Sequence, residues 1–266
     1  HAGTLDPLAE GILPVAIGKT TKLIPYVNSD NKKYVFNISW GTQTTTDDSE
    51  GDILYKSNII PTYDKINLEI KNFIGNLNQI PPKASAININ GKRAYKLLRN
   101  KINFEIKSKN VFVKSLKIID HFQNYTSFEI ECGKGFYIRS LGRDLSIKLG
   151  TYGHISSLER VKVGKFIKKS SILLDDLLKI GQRHSIINCI KSSISMLDDI
   201  LAVEIEDQFD LKNLSLGKSI KIDENKLNNF SSNSLDNKNI FLSNGGDIVS
   251  IGKLIGNLFK PKKVLI

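Results

Sequence analysis

The sequence is poor in the residues that build disulfide frameworks and metal cages. It holds 2 Cys in 266 residues, and Cys132 and Cys189 stand far apart with no Cys-x-x-Cys spacing. His1, His121, His154 and His184 are scattered too, with no His-x-x-x-His pair. A stapled secreted scaffold and a zinc site are therefore poor readings. Also lacking is any apolar run of membrane-spanning length, and no signal peptide opens the chain. The expectation is a cytoplasmic chain with no membrane and no metal, whose chemistry comes from its own acids, bases and nucleophiles. Acidic residues are in deficit as well: 27 Asp and Glu face 38 Lys and Arg, a net charge of +11, which points to an anionic partner.

The distribution of that charge says more than its total. From Pro82 to Lys117 there are ten basic residues and one acid, Glu105. From Cys132 to Lys169 there are nine, against Asp144 and Glu159. The competing reading is a set of solvated lysines in a chain biased toward Asn, Lys and Ile. Such a bias would spread lysine evenly, whereas Thr46 to Asp52 and Leu197 to Asp210 are acidic. Nucleic-acid binding through the two basic stretches is the better account.

Periodicity gives the organisation. Tyr34, Phe36, Ile38 and Trp40 alternate with polar residues, as in a half-buried strand. A polar loop, Thr42 to Gly51, follows. Ile66, Ile70, Phe73 and Ile74 have helical spacing up to Gly75, and a short helix is expected around Ala94 to Arg99. Strand patterns return at Val111 to Ile119 and Thr126 to Cys132. A helix over Tyr137 to Leu149 then places Ile138, Leu141, Leu145 and Leu149 on one stripe, with Arg139 and Arg143 on another. Helical pattern covers Ser171 to Leu178. Asp198-Asp199 marks a boundary, beyond which Leu201 to Ile205, Ser219 to Ile222, Ile240 to Leu242 and Ile248 to Gly252 predict a small β module; Asn225 to Asn239 is a polar loop.

The densest stretch is the first: His1-Ala2-Gly3-Thr4-Leu5-Asp6-Pro7-Leu8-Ala9-Glu10-Gly11-Ile12-Leu13-Pro14. Local rules alone make Asp6 a helix N-cap with Pro7 in the first turn. The whole string instead resembles the signature of the TruB family of tRNA pseudouridine synthases, centred on that family's catalytic aspartate. Further segments are similar to the family in the same order. They are Lys33-Tyr34, then Ile80-Pro81-Pro82-Lys83-Ala84-Ser85-Ala86 with Gly91-Lys92-Arg93-Ala94-Tyr95, then Gly133-Lys134-Gly135-Phe136-Tyr137-Ile138-Arg139, then His154 to Arg160. The tail around Ile251-Gly252-Lys253 and Lys260-Pro261-Lys262-Lys263 looks like the family's PUA-like RNA-binding module.

The resemblance implies a mixed α/β (α+β) catalytic domain around an antiparallel-rich sheet over residues 1–200, with an RNA-binding insertion at about 82–110, and the PUA-like β module over 201–266. It implies isomerisation of the T-loop uridine at tRNA position 55, with tRNA (its T arm) as partner, no cofactor, and a monomeric enzyme. Asp6 is then the nucleophile, Arg139 the countercharge that keeps it ionised, and Tyr137 a candidate to remove the C5 proton. Tyr34 stacks on the flipped uracil, Leu158 walls the pocket, and His1 takes the flipped base's place. Lys83, Arg93, Tyr95 and Arg160 are expected to contact RNA. A strand and turn that supports the active site precedes the histidine in the family and has no counterpart here, so the chain reads as N-terminally truncated. Thr45 stands where the family often has an aspartate, and Asp48 matches the more constant acid, with an electrostatic or structural role. Two other readings remain open: a non-catalytic tRNA-binding or tRNA-folding protein, and a dyskerin-like synthase directed by guide RNA.

Overall fold

The computed structural model describes residues 1–26, 31–180, 189–196, 202–228 and 239–266. The boundary expected at Asp198-Asp199 and most of the stretch Asn225 to Asn239 lie outside them. The described chain forms two compact units: Gly3–Leu13 with Ser29–Ser170, and His1–Ala2 with Pro14–Asn28 and Ser171–Ile266.

The larger unit holds β1 (Glu10–Gly11), β2 (Lys32–Trp40), β3 (Thr42–Thr44), β4 (Ile53–Lys56), α1 (Tyr63–Glu69), β5 (Gly75–Gln79), β6 (Asn88–Ile89) and β7 (Lys92–Arg93). Then come α2 (Ala94–Arg99), β8 (Lys109–His121), β9 (Tyr125–Cys132), α3 (Ile138–Lys148), β10 (Gly153–Val163) and β11 (Phe166–Ile167). Seven strands make one sheet in the order β1-β10-β2-β9-β8-β5, with β11 added to β10. Every pairing is antiparallel except the short parallel contact of β1 with β10.

The alternation read in β2 is what builds the core. Phe36, Ile38 and Trp40 are buried on one face, beside Phe128 and Ile130 of β9 and Ile155 and Leu158 of β10. Phe36 and Phe128 are direct cross-strand partners with rings stacked at 5.3 Å, the kind of pair that fixes register as well as burying area. The apolar stripe Ile138, Leu141 and Leu145 of α3 closes the same core. Gly142 sets how close the helix comes, since a Cβ there would stand 2.8 Å from Ile155 Cδ1.

Most expected elements occur, and three of the differences bear on the site. The helical run ending at Gly75 is α1 followed by a 3-10 turn over Ile70–Phe73, and Gly75, at φ 95°, opens strand β5. No strand was expected at β10, because bulges between Ile155 and Ser157 and between Arg160 and Lys162 break its alternation. Nor is there a helix after Asp6, where the chain makes one turn and continues as β1.

In the smaller unit β12 (Ala202–Glu204), β13 (Ile220–Lys221), β14 (Asn239–Asn244), β15 (Asp247–Ile255) and β16 (Leu258–Val264) form one sheet in the order β12-β14-β15-β16-β13. Val203, Leu214, Ile220, Leu242 and Phe259 fill its core. Among its described residues this unit also has the helices Gln208–Ser215, Glu224–Asn228 and Leu174–Lys179, so it is not built of strands alone, and the expected polar loop from Asn225 begins as helix. The first is capped by Asp207, which accepts from Phe209 N at 2.7 Å and Asp210 N at 3.0 Å. Among the described residues no helix is long and apolar enough to cross a membrane.

Candidate active site

Asp6 sits at the tip of a loop whose two ends are fastened to the sheet. Ala9 N donates to Asp6 O at 2.9 Å, so Asp6-Pro7-Leu8-Ala9 is a single turn with proline at its favoured second position. This corrects the helix-cap reading: the chain leaves the turn as strand β1, not as a helix. Gly11, at φ 104°, lies against β10 so closely that a Cβ would be 2.3 Å from Arg160 O. Only glycine fits there. Next to it, Ile12 N donates to Arg160 O at 2.8 Å.

Arg139, in the first turn of α3, meets the Asp6 carboxylate edge-on. Its Nε donates to Oδ2 at 2.8 Å and its Nη2 to Oδ1 at 2.9 Å, a two-pronged fork. The remaining nitrogen, Nη1, donates to Thr46 O at 3.0 Å and Ala84 O at 3.2 Å, and lies 3.4 Å from Asp48 Oδ2. The guanidinium is thus shared between two carboxylates. They differ in access: the Asp6 side chain is 34% exposed and that of Asp48 2%. The fork therefore presents one carboxylate to the outside and keeps the other as buried countercharge.

The loop between β3 and β4 is shaped to deliver Asp48. Asp48 Oδ1 accepts from Thr46 Oγ1 and from Glu50 N, and Thr44 Oγ1 donates to Asp48 O at 2.6 Å. Asp47 takes a left-handed conformation, φ 60°, and its carboxylate pairs with Arg143 at 2.9 Å. Burial pushes the Asp47 pKa up, against the opposing pull of Arg143.

Two tyrosines feel the charge of Asp6. Tyr34 stands on the core face of β2, directly across from Arg160 on β10 and Ile130 on β9. Burial drives its phenol pKa up to about 12, with the guanidinium of Arg160 pulling the other way. Tyr137 precedes α3, and its pKa is raised first by burial and next by the charge of Asp6. Both phenols are therefore neutral near pH 7. Tyr137 is gripped through its backbone: Gln79 accepts from Tyr137 N at 2.9 Å and donates to Tyr137 O at 3.1 Å. Ser140 Oγ and Arg143 Nη2 both donate to Ile80 O, at 2.7 and 2.8 Å, so the segment leading into the basic insertion is laced to α3.

The other expected site residues fall in different places. Leu158 is buried in the core against the same face as Phe36. Lys83, Arg93 and Tyr95 are exposed, and Arg93 Nη1 donates to Ala86 O at 2.6 Å. His1 is exposed and belongs to the smaller unit. Arg160 is only 1% exposed, and its guanidinium donates to backbone carbonyls. Gln79 and the Asp47–Arg143 pair escaped sequence reasoning. The available signal was a lone glutamine two residues before Pro81-Pro82, inside a short strand with alternating burial. Among the described residues no cluster of three or more His, Cys, Asp or Glu is placed to hold a metal.

The family described as TruB family pseudouridylate synthase (N terminal domain) matches residues 1–138. Three relatives called tRNA pseudouridine synthase B are similar to the chain. The protein of Ehrlichia ruminantium (strain Gardel) is 45% identical over 81% of this chain and 76% of its own length. That of Wolbachia pipientis subsp. Culex pipiens (strain wPip) is 50% identical over 67% of this chain and 51% of its own. That of Ehrlichia canis (strain Jake) is 38% identical over 99% of this chain and 87% of its own. Among solved structures, "Crystal Structure of a Cbf5-Nop10-Gar1 Complex" is similar over 100% of this chain and 76% of that one, with a TM-score of 0.70 at 22% identity, a likeness of fold. The chain belongs to the TruB family of pseudouridylate synthases.

Proposed function

We propose that the protein converts a uridine of tRNA, in the T loop, into pseudouridine, with Asp6 as the nucleophile. The observation that carries this reading is the forked Arg139–Asp6 pair, which gives a partly open carboxylate a fixed countercharge. The relatives' shared name, tRNA pseudouridine synthase B, supplies the substrate class.

The reaction rearranges atoms without adding any. The N1–C1′ bond breaks while the Asp6 carboxylate attacks the uridine or screens the positive charge growing at C1′, as carboxylates do in glycoside cleavage. The uracil turns, C5 bonds to C1′ as any bond from Asp6 to C1′ breaks and the carboxylate is released, the C5 proton leaves, and N1 ends protonated. The product is an isomer, so the scheme calls for no redox partner or group donor. To reach the site the uridine must leave its stack, and Tyr34 offers the aromatic face on which the flipped base rests. Tyr137 carries the C5 proton in this scheme: its phenol gives its own proton to N1 and takes the proton from C5, so the neutral phenol is restored. The charge of Asp6 is one of the two causes that hold its phenol protonated, and that cause disappears while Asp6 is covalently bound. Lys83, Arg93 and Tyr95 meet RNA from the basic insertion, and the protein acts as a monomer.

Pseudouridine mapping on unmodified tRNA transcript, with the full-length protein and neither guide RNA nor other proteins, tests the proposal. One new pseudouridine in the T loop is the expected result. Tight binding without modification would support the RNA-binding or guide-directed readings instead.

A further inference from the structure

Arg160 heads the fully buried side chains by volume, at 1% exposure. A buried arginine is costly unless all its donors are met. Among the described residues no carboxylate pairs with it, and carbonyl oxygens do the work. Its Nε donates to Ile12 O at 2.7 Å, its Nη1 to Thr4 O at 3.3 Å and its Nη2 to Gly3 O at 3.1 Å. Gly3 and Thr4 lie before Asp6 and Ile12 lies after it, so one guanidinium ties together both stems of the loop that carries Asp6. The backbone of Arg160 adds to this by accepting from Ile12 N and by pairing with Gly11. On the other side of β10, Tyr34 is its direct partner in register, and the guanidinium charge acts on the phenol, pulling its pKa down against the push of burial.

The geometry points to Arg160 as a positioning residue: it holds the Asp6 loop and Tyr34 in fixed relation to each other, and it does not touch RNA. The inference rests on Asp6 as nucleophile and Tyr34 as platform, and departs from the expectation that Arg160 binds substrate. Lysine cannot replace it, because a single ammonium does not span three carbonyls in a planar fork.

The test uses Arg160→Lys and Arg160→Met in the full-length protein, with thermal melting to follow folding. The expected result is a single-turnover rate on tRNA transcript lower by about a hundredfold, as small misplacements of reacting groups produce, with the tRNA Kd unchanged within about threefold. A raised Kd with the rate at saturation retained would overturn the inference and make Arg160 an RNA contact. Unchanged rate and Kd would overturn it too. A readout on the wild-type protein does not depend on the variants folding. Phenylglyoxal labelling followed by mass spectrometry should leave Arg160 unmodified with and without tRNA, and labelling that tRNA blocks would overturn the inference. A wild-type protein that forms no pseudouridine would instead sink the enzyme reading, before any variant is compared.

Discussion

At the scale of single residues, the site is a contest over one guanidinium. Arg139 serves the exposed carboxylate of Asp6 with two nitrogens and the buried one of Asp48 with the third. Asp6→Asn keeps the shape but removes the nucleophile, so pseudouridine formation should fall by at least about a thousandfold, the loss typical of deleting a catalytic nucleophile. Binding to tRNA should persist, and a mutant with wild-type turnover would rule out the assignment. A second prediction concerns pH. Burial raises the Tyr34 phenol from 10.0 to about 12 and the Cys132 thiol from 9.0 to about 12. Both pKa values are raised in the folded state, so the stability linked to them is intact below about pH 9 and drains away as pH rises toward 12. The slope is about 1.4 kcal/mol per pH unit for each group inside its window. Denaturant titrations from pH 8 to pH 11 should show that decline, and Cys132→Ala should flatten its lower part. The same burial predicts that iodoacetamide at pH 8 spares Cys132 until denaturant is added, which peptide mass spectrometry can read. At this scale the family resemblance names Asp6, Tyr34, Tyr137 and Arg139, and the fold pairs Asp6 with Arg139 across 133 positions, which no local pattern displays. Arg160 is expected to contact RNA because a basic side chain in a basic stretch reads the same whether it faces RNA or a buried loop, and its burial is visible only in the fold.

At the scale of elements, three short segments aim these groups: the turn at Asp6, the loop delivering Asp48, and the strand end at Gln79. Each is set by backbone geometry that composition does not display. The turn depends on Gly11, and Gly11→Ala should push β1 away from β10. Strain of this kind costs about 1–3 kcal/mol, so melting should shift down by several degrees and turnover should fall with it; an unshifted melting curve would show that β1 yields without cost. Gln79 contributes two hydrogen bonds to the backbone of Tyr137. Buried bonds of this kind are worth about 1 kcal/mol each, so Gln79→Leu should destabilise by about 2 kcal/mol in urea titration. Because the glutamine grips backbone, the same substitution should slow catalysis more than it weakens tRNA binding. Regular elements were legible where periodicity was clean, as in β2, β9 and α3. They were illegible where bulges interrupted the pattern, as in β10, or where an element was too short to show a period, as in β1.

At the scale of the whole molecule, charge is the dominant property. Ten basic residues between Pro82 and Lys117 line a stretch whose root is tied to α3 through Ile80 and to Arg139 through Ala84. If this surface meets tRNA, log Kd should rise with log salt, each neutralised phosphate adding about 0.7–0.9 to the slope. Filter binding between 50 and 300 mM salt measures it, and a flat response would remove the insertion from the RNA interface. The parallel pairing of β1 with β10 has a further consequence, in the order of synthesis. Glu10 and Gly11 leave the ribosome among the first residues of this segment, yet their partners are Glu159 and Arg160. Contacts so distant in sequence form late. A nascent chain arrested before β10 therefore carries Asp6 beside a strand that has no partner in the sheet, and the setting of that carboxylate is complete only when nearly all of the larger unit's sheet has been made.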